Sequence, residues 1–166
     1  MFAALINFKS TLQMNKLLSR ITTAGLIVGT LDILSAFIYY YIKTGKNPLL
    51  ILQYIASGIY GKEAFSGGST MMLTGLVLHY VIAMAFTIFF FWIFPKIKDL
   101  SKNKIMTGIF YGIFIWVVMN RAIVPLSKIP NAPFNIVNAL INAAILIICI
   151  GIPLSFMANA FYKTGK

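Results

Sequence analysis

The sequence predicts an all-α integral membrane protein: a four-helix bundle with a short interfacial or re-entrant helix between its first two spans. Three observations carry this. Apolar residues make up 60% of the 166 and charged ones only 10%, whereas a soluble domain carries about 25% charged residues. Four apolar runs are long enough to cross a hydrocarbon core of about 30 Å. Most of the cations lie between those runs, where water and lipid head groups would meet them. A mean hydropathy of +0.88 describes a surface that water would aggregate and lipid would accept.

Residues 1–17 place Phe2, Leu5, Ile6, Phe8, Leu12 and Leu17 among Lys9 and Lys16. This reads as an amphipathic amino-terminal segment lying on the membrane surface. The alternative is a plain extension, since Met14-Asn15-Lys16 would itself make an ordinary start. A single membrane domain follows over 18–162. Its first span, about 18–42, contains Asp32 and ends in the aromatic belt Tyr39-Tyr40-Tyr41. Asn47-Pro48 then opens a second apolar stretch, about 48–60, with a capping residue followed by a proline suited to a first helical position. Thirteen residues of helix reach only about 20 Å, too short to cross, hence the interfacial or re-entrant reading. Gly61 can stop that helix, and Ser66-Gly67-Gly68-Ser69 makes a joint. The second span, about 70–94, is closed by Trp92 and Pro95, and the third, about 105–124, by Pro125. Pro130 and Pro133 stiffen the next loop. The fourth span, about 134–162, carries Pro153, which is expected to kink it. No internal repeat is visible, which disfavours an inverted-repeat transporter.

Fourteen Lys and Arg against three Asp and Glu give a net charge of +11. On a soluble chain that excess would suggest nucleic acid. Here the cations flank apolar runs, so they set orientation and meet anionic lipid head groups, and nucleic-acid binding is not expected. Nine fall in the amino-terminal segment, the connection between the second and third spans, and the carboxyl tail (Lys9, Lys16, Arg20; Lys96, Lys98, Lys102, Lys104; Lys163, Lys166). Five fall on the other side: Lys43, Lys46, Lys62, Arg121 and Lys128. The positive-inside rule therefore predicts both termini in the cytoplasm, a parity that four spans satisfy. No small-x-small cleavage site follows the first apolar run, so a cleavable signal peptide is not expected. Cys149 is the one cysteine, sits in an apolar run and allows no intrachain disulfide.

Spacing identifies the helix faces. Thr22, Gly25, Gly29, Asp32 and Ala36 recur every three or four residues and form one stripe of the first span. Gly25/Gly29 and Gly108/Gly112 are small-xxx-small pairs that permit close helix approach. At least one such seam is a candidate contact between protomers, in a homo-oligomer or a larger membrane complex. In the fourth span Asn135, Asn138, Asn142, Ile145, Cys149, Ile152, Phe156 and Asn159 form a longer stripe. Five of its eight positions are Asn or Cys, so it is expected to face the bundle or a cavity rather than lipid.

Depth follows from helix rise. Asp32 lies about 18 Å beyond Arg20, and His79 about 14 Å beyond Thr70, which puts both near the midplane. Asn120, Arg121, Asn138 and Asn142 fall in the outer halves of their spans, so four helices are expected to contribute polar groups to one level. Asp32 and His79 could form a hydrogen-bonded pair, and an imidazole beside a carboxylate can exchange a proton near neutral pH. Arg121 could pair with Asp32 or reach to the outer interface. The competing reading is that buried polar groups serve as interhelical glue, worth about 1 kcal/mol each.

No enzyme is expected. One histidine, one cysteine and three acids cannot assemble a multi-ligand zinc site. No phosphate-cradling glycine loop or nucleophile motif is present, and no cofactor is called for.

Leu78-His79-Tyr80-Val81-Ile82, a following aromatic run, Phe94-Pro95-Lys96-Ile97-Lys98 and the Gly108/Gly112 pair resemble the YagU-like family of small multi-pass bacterial inner-membrane proteins. The likeness covers about residues 70–130, with a shorter spacing here between the histidine and the Phe-Pro-Lys-Ile-Lys run. It implies a bacterial inner-membrane location and brings no catalytic residue with it. Two functions remain in competition. One is a small transporter or proton-linked permeation protein that uses Asp32 and His79. The other is a non-catalytic subunit or scaffold in which the same groups only specify packing.

Overall fold

In lipid every backbone polar group needs an internal partner, and a helix supplies one within a single segment. The computed structural model describes residues 2–97, 100, 102–130 and 135–164, the side chains of 2–12 and 164 excepted. Among the described residues every regular element is a helix. In chain order these are α1 (Phe2–Thr44), α2 (Leu50–Tyr60) with a 3₁₀ turn Gly61–Phe65, and α3 (Gly68–Ile93) with a closing 3₁₀ turn Phe94–Lys96. Next come α4 (Lys104–Val118), which continues through a π turn Met119–Ile123 into α5 (Val124–Leu126), and α6 (Ile136–Leu146), which continues through a π turn Ile147–Gly151 into α7 (Ile152–Thr164). Four stretches are long and apolar enough to cross a membrane: Gln13–Thr44, Gly68–Lys96, Lys104–Leu126 and Ile136–Lys163. These first to fourth spans make the chain a multi-pass membrane protein. Large apolar side chains such as Ile42, Leu73, Phe110, Leu140 and Ile148 point outward from all four, as a lipid-facing surface requires.

From Phe2 onward the amino-terminal segment is continuous with the first span in one helix, with no break between them. The side chains of Phe2, Leu5, Ile6, Phe8, Lys9 and Leu12, and all of Lys98, Pro133, Phe134 and Lys166, lie outside the described residues.

Asparagine caps two of the helices, whereas α2 starts at Leu50, after a turn at Asn47 and not with Asn47 as its cap and Pro48 as its first residue. Asn47 Oδ1 accepts the Leu49 amide at 3.0 Å, and the carbonyls of Asn47, Pro48 and Leu49 take the next three amides, which leads into α2 at Leu50. Asn103 caps α4 through the Met106 amide, and Asn135 caps α6 through the Asn138 amide. Gly61, at φ +61°, ends α2.

The two π turns share a cause. Pro125 and Pro153 each stand two residues past the end of one. A proline has no amide hydrogen, and its ring presses on the carbonyl four residues earlier. Those carbonyls belong to Arg121 and Cys149, each at the middle of a π turn. Widening the helix there moves the carbonyl aside. The third span therefore passes through Pro125 as far as Leu126 instead of stopping before it.

α1 lies between α3 and the fourth span, and α4 packs on the fourth span. At one end of the bundle all four spans meet. The core there contains Ala24 and Val28 of α1, Phe90, Phe91 and Phe94 of α3, Tyr111 and Ile115 of α4, and Ile150, Leu154 and Ala158 of the fourth span. Phe90 and Tyr111 stand 4.4 Å apart between ring centroids, and Phe94 stacks on Tyr162 at 5.8 Å. Tyr111 and Tyr162 donate to the α3 carbonyls of Phe86 and Phe91 at 2.5 and 2.7 Å. Lys16, Arg20, Lys96, Lys104 and Lys163 surround this end and make it the basic end of the bundle. At the opposite end α3 packs instead on α2, whose Leu52, Gln53, Ala56 and Ser57 are buried. The Lys128 amide donates to Gly58 O at 2.9 Å and joins the loop after the third span to α2.

Candidate functional site

Close approach of α1 and α3 positions the centre of the site. Without a side chain at Gly29, the Tyr80 ring lies against the α1 backbone; a Cβ placed there would stand 3.1 Å from that ring. Tyr80 then hydrogen-bonds Thr30 through its hydroxyl at 2.7 Å, and His79 Nε2 reaches Gly29 O at 2.8 Å. A carbonyl oxygen only accepts, so Nε2 must carry the proton. Nδ1 is left to accept one, and among the described residues no partner occupies it.

Asp32 stands one turn beyond Gly29, at the junction of two stripes of α1. Gly25, Gly29 and Asp32 face α3, while Asp32, Ser35, Tyr39 and Lys43, spaced 3, 4 and 4, face the fourth span. His79, bonded to the carbonyl of Gly29 three residues earlier in α1, stands on the α3 side that Asp32 shares. The carboxyl makes no hydrogen bond or ion pair among the described residues, so the hydrogen-bonded Asp32–His79 pair allowed by the sequence is absent; the imidazole is turned to the Gly29 carbonyl instead. Asp32 and His79 are both half-buried. Ser155 Oγ is the one fully enclosed polar side-chain atom without a partner among the described residues, so Asp32 and Nδ1 are not fully enclosed by protein.

The second stripe meets the fourth span in a polar seam. Tyr39 and Lys43 both donate to Asn138 Oδ1, at 2.9 and 2.6 Å. Ser35 Oγ and Cys149 Sγ are 3.1 Å apart. Asn142 lies on the same face of the helix between those two contacts. It is nevertheless exposed and has no hydrogen bond among the described residues. The seam is thus closed at Asn138, closed at Cys149 and open at Asn142.

The rest of the polar cluster is dispersed. Asn120 is exposed and turns its amide back to Trp116 O at 2.8 Å, in its own helix. Arg121 is exposed and forms no ion pair among the described residues. Both continue the outward face of the third span that carries Phe110, Ile113 and Val117. The long stripe of the fourth span does not stay on one face either. Asn135 is consumed as a cap, and the π turn rotates the remainder of the span by about 100°. Phe156 therefore points out, 45% exposed, while Asn159 is buried.

Both glycine pairs work inside the chain. Gly25 accommodates Met84 and Gly29 accommodates Tyr80, between the first two spans. Gly108 and Gly112 meet the backbones of Ile152 and Ile147, and a Cβ on either would come within 2.6 Å of an Ile Cα. Each pair thus meets a neighbouring helix of the same chain. Spacing within one span did not reveal Gly151, which packs against Gly108 O, or Gly75, which packs against Leu52 O. Ser35, Tyr39 and Lys43 were also missed, although their spacing from Asp32 was a readable signal. Among the described residues no group of three or more metal-ligating side chains occurs. No family model, curated protein or solved structure matches this chain.

Proposed function

We propose that this protein is a small transporter or proton-linked permeation protein of a bacterial inner membrane, with Asp32 and His79 as its polar centre and Asn142 on the wall of the approach. One observation carries the reading. Asp32 is an acid deep in a span, one turn from the Gly29 carbonyl that holds His79, and it has no protein partner among the described residues. Interhelical glue requires a bonded partner, because an unpaired polar group in hydrocarbon is costly. Ser35–Cys149 and Tyr39–Asn138 meet that requirement, and Asp32 does not. A proton, water or a small solute is then the natural partner of the carboxyl. His79 can pass a proton at Nδ1 while Nε2 stays anchored to Gly29 O.

The rest of the reading follows from charge and length. The basic end is cytoplasmic by the positive-inside rule, which places both termini there. α2, about 16 Å long, lies at the opposite interface and covers the α3 side of the bundle. Arg121 reaches toward that same interface. The resemblance of residues 70–130 to the YagU-like family agrees with the location.

The test is flux in reconstituted vesicles. The native chain is expected to conduct protons or a small solute above the level of empty vesicles. Asp32→Asn and His79→Ala should each abolish most of that flux, and Asn120→Ala should leave it intact. Native flux no higher than in empty vesicles would leave the scaffold reading, in which the seams lock the bundle and nothing passes.

A further inference from the structure

A groove of ≈ 250 Å³ opens on the side of the basic end, walled by Ala24 of α1, Phe91 of α3, and Met157 and Phe161 of α7, with Arg20 at its rim. We propose that it holds an anionic phospholipid, with the phosphate on Arg20 and one acyl chain along the apolar walls. The proposal is independent of whether the centre of the bundle transports anything.

Three observations choose this occupant. The first is charge. Arg20 is exposed and makes no hydrogen bond or ion pair among the described residues. Lys16 lies one turn away on the same face of α1, and Lys163 one turn beyond the groove-lining Ala160 on α7, both exposed. Three cations thus border an apolar groove, and none of the three forms an ion pair among the described residues. A guanidinium at such a rim suits a phosphate, which its fork of donors can bind through two oxygens. The second is depth. Phe91, in the groove wall, precedes Trp92, whose exposed indole carries Lys96 Nζ 3.3 Å from its ring centroid. An exposed tryptophan under a lysine marks the level of the lipid head groups. Arg20 lies at that level and the walls run inward from it. The third is the lining. The polar side chains of the lining, Arg20 and Thr23, are both exposed, and the Thr23 hydroxyl is spent on Ser19 O, so no buried polar side chain is offered to a soluble anion, whereas an acyl chain needs only the apolar contact of Ala24, Phe91, Met157 and Phe161. Head-group charge and tail are therefore both matched, as in a lipid and not in free phosphate.

Native mass spectrometry of the full chain, extracted into micelles containing equal phosphatidylglycerol and phosphatidylcholine, provides the test. One phosphatidylglycerol is expected to stay bound per chain in preference to phosphatidylcholine. Arg20→Ala should cut that retention about tenfold, the loss expected for one charge-assisted contact. Arg20→Lys should keep part of it, and Lys104→Ala, away from the groove, all of it. Ala160→Trp, which fills the groove and leaves Arg20 in place, should also lower retention. Thermal unfolding of each variant in the same detergent separates loss of lipid from loss of fold. Equal retention of the two lipids, or full retention in a folded Arg20→Ala protein, overturns the proposal. So does displacement of the lipid by millimolar inorganic phosphate, which would make the site one for the free anion.

Discussion

A glycine in a membrane helix is informative only through what fills the place of its missing side chain, and the two pairs here differ in that respect. Gly25 faces the flexible end of Met84, which can swing aside, since a Cβ would meet its Sδ at 2.8 Å. Gly112 faces backbone, since a Cβ would come 2.5 Å from Ile147 Cα, and two helices must separate to admit it. Gly112→Ala is therefore expected to destabilise the bundle by about 1–3 kcal/mol, the usual cost of overpacking, and Gly25→Ala by distinctly less. Unfolding in detergent checks the order, and equal effects would mean that the seam between the third and fourth spans yields as easily as methionine does. The same reasoning applies to Asp32. Its neighbours Ser35 and Tyr39 are committed to the fourth span, and what sets the carboxyl apart is that nothing in the described protein binds it.

At the scale of the element, helix starts and helix defects account for most of the geometry. Asn103 and Asn135 each satisfy an otherwise orphaned amide at the head of a helix, α4 at the basic end and α6 at the other. Asn103→Ala or Asn135→Ala is expected to cost about 1 kcal/mol, whereas Asn120→Ala should cost less, because its amide only returns to its own helix at Trp116 O. Denaturant midpoints in one detergent would show this ranking or refute it. The π turns act differently. By absorbing Pro125 and Pro153 they keep the third and fourth spans continuous, and the one at Ile147–Gly151 also brings Gly151 against Gly108. One irregularity thus relieves a proline and closes a helix–helix seam.

For the whole molecule, the division into two ends is the main result. The basic end is filled with aromatic and aliphatic side chains from all four spans. The middle and the opposite end have half-buried Asp32 and His79 and an exposed Asn142 on a face that looks toward α1. The proposed permeation path rests on this contrast between a closed base and a polar middle. Orientation is tested in a Cys149→Ala background by labelling single cysteines with a membrane-impermeant maleimide. Glu63→Cys, exposed beside α2, is expected to react from the periplasmic side, and Lys102→Cys, exposed at the basic end, only after the membrane is opened. Reaction of Lys102→Cys from outside would invert the topology and remove the cytoplasmic assignment of both termini.

Membership in the membrane class, the four spans and the short helix between the first two were all legible in the residue order. Each depends on one-dimensional quantities, namely run length, composition and the placement of Gly, Pro and Asn. The glycine pairs were legible as close-approach positions, because a small residue every fourth place has the same meaning on any helix. Their partners were not, since spacing along one helix carries no information about which neighbour will fill the gap. The polar cluster shows the limit most clearly. Asp32, His79, Asn120, Arg121, Asn138 and Asn142 could be placed by depth, but depth leaves rotation about each helix axis free. Rotation was decided by packing: Tyr80 on Gly29 turned His79 to a carbonyl, the two π turns redirected the faces beyond them, and α4 packing on Ile147 and Ile152 left Asn120 and Arg121 looking outward. Depth was set by hydrophobicity along the chain, and company by side-chain shape across it.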